Sequence, residues 1–230
     1  MRYKRQSEAQ KEFAEEVREM EVRLLHKQLD ENDASRMKSK RYSWHYRPSH
    51  HIQTGLLTMN DISILQKPDK RLLSIGAFPG YFEQVLCALG VPSDHILLAD
   101  NDPDIMRHSG AILAVEFDAA ACWPEIGTFD LIIFPESLCM CVASAMKQGG
   151  QDVHAPKDAA FATDALESEI LCTIIGQALK RLRPHGEIRA NGPMSHPNVV
   201  KAMSARLLKK RILHHVEYER FFLTIRTTAN

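Results

Sequence analysis

The tail of this 230-residue chain narrows its fold most sharply. Two strand-like runs, 212–218 and 221–226, follow each other with no room for a crossover helix, so they must pair antiparallel. Ahead of them, from Met59 onward, the rhythm is different. Strand-like runs at Arg71–Ile75, His95–Ala99, Ile112–Phe117, Phe129–Phe134 and Glu187–Ala190 alternate with helical patterns at Met59–Leu65, Tyr81–Leu89, Ala162–Arg183 and Asn198–Lys209. Phe129–Phe134 has the character of a strand buried on both faces. Asp102-Pro103 has the form of a further helix start, and Pro184-His185-Gly186 that of a helix stop. The pattern specifies an α/β domain: a seven-stranded, mostly parallel sheet with helices on both faces and a C-terminal antiparallel hairpin. A nicotinamide-dehydrogenase sheet has no place for that closing hairpin.

The first 58 residues differ from residues 59–230 and are expected to form an extension. Phe13, Val17, Met20 and Leu24 recur at helical spacing, widened by Leu25 and Leu29, which predicts an amphipathic helix over about 7–31. Its stripe must bury against the chain's own domain or against a partner such as a second copy. Residues 36–47 contain no acid and place Tyr42, Trp44 and Tyr46 among basic residues. That arm is compatible with single-stranded nucleic acid, through phosphate pairing and base stacking. It equally suits a substrate-covering arm, or aromatics packed onto the domain.

Net charge is zero but unevenly spread: residues 180–215 carry nine Lys/Arg against the single acid Glu187. Such a run can steer an anionic partner or be a solvated helix face. With 44% apolar and 25% charged residues, no signal-like start and no membrane-length run, a soluble cytoplasmic protein is expected. The five cysteines lack metal-ligand spacing, and Cys87 and Cys172 fall in apolar helical patterns as small buried hydrophobes. The His50-His51 and His214-His215 pairs are adjacent rather than ligand-spaced, so no metal is assigned.

Chemistry enters at the turn after the first strand. Leu72-Leu-Ser-Ile-Gly-Ala-Phe-Pro-Gly80 ends an apolar run in two glycines, and Ile96–Ala99 ends in the acid Asp100. Parallel α/β sheets bind nucleotides in this way, with backbone approach at the turn and a carboxylate at the ribose.

From about Met59 to its end, the chain resembles the class I S-adenosylmethionine-dependent methyltransferases. The resemblance implies that Ser74, Gly76, Ala77, Phe78 and Gly80 wrap the cofactor's amino-acid end. It further implies that Asp100, followed by Asn101, takes the ribose hydroxyls. Asp118-Ala119 would receive the adenine amino group, and Phe134-Pro135 would border the reacting methyl. Ala178–Ile188 resembles the family's helix-to-strand turn. Two departures stand out: Ser74 occupies the place of an acid that holds the cofactor's ammonium, and Phe78 that of a glycine. Glu83, a helical turn onward, is read as an exposed first-turn acid favoured by the helix dipole, with replacement of the missing charge as the alternative.

A sulfonium donor is already activated, so the protein needs to supply little beyond alignment and one base. Glu136, just past the fourth strand, and His154, in the polar 147–158 connection, are the candidates. Glu136 also suits a plain helix-start position, and His154 a plain surface one. Three readings follow: methyl transfer to an undetermined acceptor, with a small molecule expected, aminocarboxypropyl transfer of the nicotianamine-synthase kind, and a non-catalytic binding or scaffold protein on a degenerate methyltransferase fold.

Overall fold

The computed structural model describes residues 8–28, 48–77, 80–104, 109–149, 160–191, 197–210, 212, 214–219 and 222–227. The basic/aromatic arm over 36–47, Phe78, His154, and the side chains of Leu24, Leu25 and Leu29 lie outside this description.

Two helices of the extension come first: α1 (Glu8–Gln28) and α2 (Pro48–Gln53). Then follow α3 (Met59–Leu65), β1 (Leu72–Ile75), α4 (Tyr81–Ala88), β2 (Ile96–Asp100), β3 (Leu113–Glu116), β4 (Phe129–Phe134), α5 (Leu138–Gln148) and α6 (Ala160–Lys180). The chain closes with β5 (Leu182–Asn191), α7 (Pro197–Lys209), β6 (His214–Glu219) and β7 (Phe222–Thr227). The seven strands form one sheet in the order β3-β2-β1-β4-β5-β7-β6. β1 to β5 are parallel, and β7 runs antiparallel to both β5 and β6. The expected sheet, closing hairpin included, is the one formed.

Strand alternation sorts the core onto two faces. Leu73, Ile75, Ile132, Phe134, Ile188 and Ala190 point to one face, where they meet α5, α6 and α7. Leu72, Leu98, Leu131 and Ile133 point to the other, covered by α1 to α4. Phe13, Ala14 and Val17 of α1 are buried in that second cluster, together with Ile52, Leu56 and Leu57. The described part of the α1 stripe therefore lies against the chain's own domain. α3 begins with a capping box in which Thr58 and Asp61 satisfy each other's backbone N–H groups.

Two local expectations change. Pro184-His185-Gly186 is not a turn ahead of the strand, because β5 already pairs at Phe129 with Leu182 and resumes, register shifted, at Leu131 with Glu187. The three residues form an irregularity inside β5. A Cβ on Gly186 would lie 2.8 Å from the carbonyl oxygen of Asp130, so only glycine fits there. At Asp102-Pro103, residues 103 and 104 form a turn, and the helix expected to follow falls on 105–108, outside the described residues. Cys172 is buried as expected, whereas Cys87 is only half-buried.

Candidate functional site

Parallel strands carry their ends to one edge, and the residues singled out by sequence gather there. Gly76 has φ +70, and its amide donates to Ala99 O at 2.7 Å. A Cβ on Gly76 would sit 2.2 Å from Ser137 Cβ, so the close approach that glycine permits is to the loop after β4. Ser137 locks that approach by donating its hydroxyl to Ile75 O at 2.5 Å. Gly80 takes φ +81 at the start of α4.

Ser74 is fully buried on the face that α4 covers, and its hydroxyl donates to Glu83 Oε1 at 2.5 Å. Glu83 is 1% exposed, which corrects the expectation of an exposed first-turn acid. The serine at position 74 explains why. A serine leaves room for a carboxylate from the following helix and supplies a donor to hold it. Among the described residues, the second oxygen, Oε2, is buried without a hydrogen-bond partner. Burial pushes the Glu83 carboxyl up to about 7, against the opposing pull of its hydrogen bonds from Ser74 and backbone, while the negative charge of Asp100 adds to the rise.

Asp100 ends β2, and its Oδ1 accepts from Asp102 N at 2.9 Å, shaping the loop that carries the exposed Asn101. Asp118 Oδ1 accepts from Ala120 N at 2.8 Å, so it does cap its turn. It also lines a groove of about 370 Å³ between that turn, α5 and α6. Ala119 and Phe134 are spent in the core, and Pro135 is buried at the edge. The Cys141 thiol lies near both acids; burial, reinforced by the charges of Asp100 and Asp118, pushes it up to about 12.

Sequence reasoning singled out Glu136 but not the cluster that holds it. Glu136 has φ +53, unusual for a residue with a Cβ, where left-handed backbone costs roughly 1–2 kcal/mol. Its amide donates to Asn191 Oδ1 at 3.0 Å, and its carboxylate, 7% exposed, meets His50 Nε2 at 2.9 Å. Asn191 Nδ2 reaches Thr54 Oγ1 at 2.8 Å and His51 Nδ1 at 3.1 Å. His51, buried, sets its ring edge-on to Phe82 at 5.0 Å between centroids. Contacts thus link Ser74 to Glu83, Phe82 to His51 and His50 to Glu136, whose chain neighbour Ser137 lies against Gly76. Asn191 was within reach of sequence reasoning, since it ends β5 at the ligand edge. Nothing in the spacing of His50 and His51 marked them.

No protein-family model matches this sequence, and no curated protein matches it. Solved structures do. The chain is similar to CalS10, an amino pentose methyltransferase from Micromonospora echinaspora solved with S-adenosylmethionine bound. The two share 12% identity over 86% of this chain and 96% of that one, with a TM-score of 0.51. It is similar, too, to the N-methyltransferase NodS from Bradyrhizobium japonicum in complex with S-adenosyl-L-homocysteine. There the identity is 13%, the coverage 91% and 99%, and the TM-score 0.50. The fold is that of the class I S-adenosylmethionine-dependent methyltransferases. Within that methyltransferase fold, the residues present suit the cofactor. Among the described residues, the buried Glu83 Oε2 has no hydrogen-bond partner, so it offers an acceptor to a cationic donor.

Proposed function

We propose that this chain is an S-adenosylmethionine-dependent methyltransferase acting on a small-molecule acceptor. The observation that carries the reading is the Ser74–Glu83 pair. A buried carboxylate with one oxygen held and the other unmatched is costly unless it takes up a proton or pairs with a cation. The cofactor's α-ammonium is such a cation, and its sulfonium supplies an already activated methyl group. Glu83 would hold the ammonium, with Ser74 fixing the carboxylate's orientation. Asp100 would take the ribose, and Asp118 the adenine amino group. The Gly76–Ser137 contact sets the wall between the cofactor turn and the β4 loop, beyond which lie Glu136 and His50.

Calorimetry with S-adenosylhomocysteine tests the assignment. A charged hydrogen bond is worth about 1.5–3 kcal/mol, so Glu83→Gln should weaken binding by about tenfold or more. Asp100→Ala should weaken it by a similar factor. No binding by the unaltered protein at millimolar ligand would refute the reading. Product analysis then separates methyl from aminocarboxypropyl transfer, since the first leaves S-adenosylhomocysteine and the second methylthioadenosine.

A further inference from the structure

We infer that the outer face of α7, with the end of α6, docks the phosphate backbone of a double-stranded nucleic acid, independently of the methyl-transfer reading. One side of α7 carries the buried set Val199, Val200, Met203 and Leu207, which seals the helix to the domain. Lys201, Ala202, Ala205, Leu208 and Lys209 make up its exposed side. Lys210 prolongs the helix by one residue, its amide donating to Arg206 O at 3.2 Å. α6 is the neighbouring helix: a Cβ on Gly176 would meet Leu207 Cδ2 at 3.6 Å. Four residues beyond Gly176, α6 ends in the exposed Lys180. This pair of helices therefore presents Lys180, Lys201, Arg206, Lys209 and Lys210. Among the described residues, none of the five forms an ion pair. Glu169 of α6 acts on the Cys172 thiol alongside Arg206 and Lys210, yet pairs with neither.

α6 leads into β5 and α7 into β6, and both strands run antiparallel to β7. Both helices thus end at the edge where the parallel strands begin, away from the turns that follow β1 and β2. Arg206 and Lys210, four residues apart, repel each other. A helix dipole favours cations in the last turn, but Lys201 lies in the first half of α7. An anionic occupant offsets both costs. A bilayer is a poor fit, because the apolar side of α7 is already buried and only Leu208, 52% exposed, is left to insert. A single strand is a poor fit as well, since residues 172–180 and 197–210 contain no aromatic on which bases could stack. Lys201 and Lys209 stand about 12 Å apart along a rigid axis. A duplex carries one phosphate charge per roughly 1.7 Å of its own axis, so it meets the whole row without ordering a flexible chain. An acidic peptide has that ordering cost to meet.

Fluorescence anisotropy with a labelled DNA duplex of about 20 base pairs tests the surface. Contact with four or five phosphates gives a slope of about −4 for log affinity against log salt, so going from about 50 to about 200 mM should weaken binding about 200-fold. Lys201→Gln, Lys209→Gln and Lys210→Gln combined should reduce the slope by about 2.7 and weaken binding about tenfold or more at the lower salt. All three side chains are exposed, so the melting temperature should stay within about 2 °C. Lys11→Gln with Lys147→Gln, exposed cations of α1 and α5, should leave the slope unchanged. Absence of duplex binding at the lower salt, or an unaltered slope in the triple variant, would overturn the inference. Tighter binding to a single strand of the same length, to polyglutamate or to phosphatidylserine vesicles would overturn it too.

Discussion

At the scale of single residues, Ser74 and Glu83 together place a carboxyl group inside the fold. Glu83 supplies the carboxylate from the next helix, and burial holds its proton up to about pH 7. The folded protein therefore binds a proton there more tightly than the unfolded chain does. The associated stability is fully present below about pH 4.5, falls as pH rises toward 7, and amounts to about 3 kcal/mol in all. Urea denaturation across that range should show the decline, and Glu83→Gln should flatten it. A cationic ligand at Glu83 reverses the preference, so cofactor binding at pH 6.5 should release a proton, seen as a buffer-dependent calorimetric heat. Gly76 makes a second residue-scale prediction. Gly76→Ala meets Ser137 Cβ and takes on left-handed strain, together costing about 3 kcal/mol or more. Adding Ser137→Gly should recover the steric part, so denaturation midpoints of the two variants would separate contact from conformation. Neither contact could be foreseen from spacing. An acid in the first turn of a helix is ordinarily solvated, and only the serine opposite makes this one different.

At the scale of elements, the strands were legible because each is a short apolar run closed by a turn residue. The helices α3, α4, α6 and α7 announced themselves by period and cap. The short helix α2 did not, because six residues, Pro48–Gln53, hold too few turns for a period to show. Nor was the continuation of β5 through Pro184–Gly186 legible, since proline and glycine together ordinarily punctuate. The bulge is affordable because Gly186 tucks under Asp130. α2 matters out of proportion to its length, since it brings His50, His51 and Thr54 to the end of β5. Asn191→Ala strips the bracing bonds from Glu136 N, Thr54 and His51 at once. That should cost about 2–3 kcal/mol by urea titration.

For the whole molecule, two layers of helix enclose the sheet, and the extension belongs to the layer that carries α4. Phe13 and Val17 share a cluster with Val85 and Leu86 of α4, so α1 and the site are mechanically joined. Val17→Asp, placing an unpaired charge at a fully buried position, should destabilise the fold by on the order of 4 kcal/mol. A lowered melting temperature accompanied by weaker S-adenosylhomocysteine binding would check the link. Among the described residues, no helix is long and apolar enough to cross a membrane. The Asp61–Arg189 pair, with its bidentate bonds of 2.6 and 3.0 Å, joins α3 to β5 across 128 positions of sequence. The Asn191–Thr54 bond spans 137. On the ribosome, the segment bearing His50 therefore emerges well before its anchors are made. Until translation reaches β5, Thr54 and Asp61 lack these partners, so the nascent chain carries polar groups whose bonds only its last third can complete.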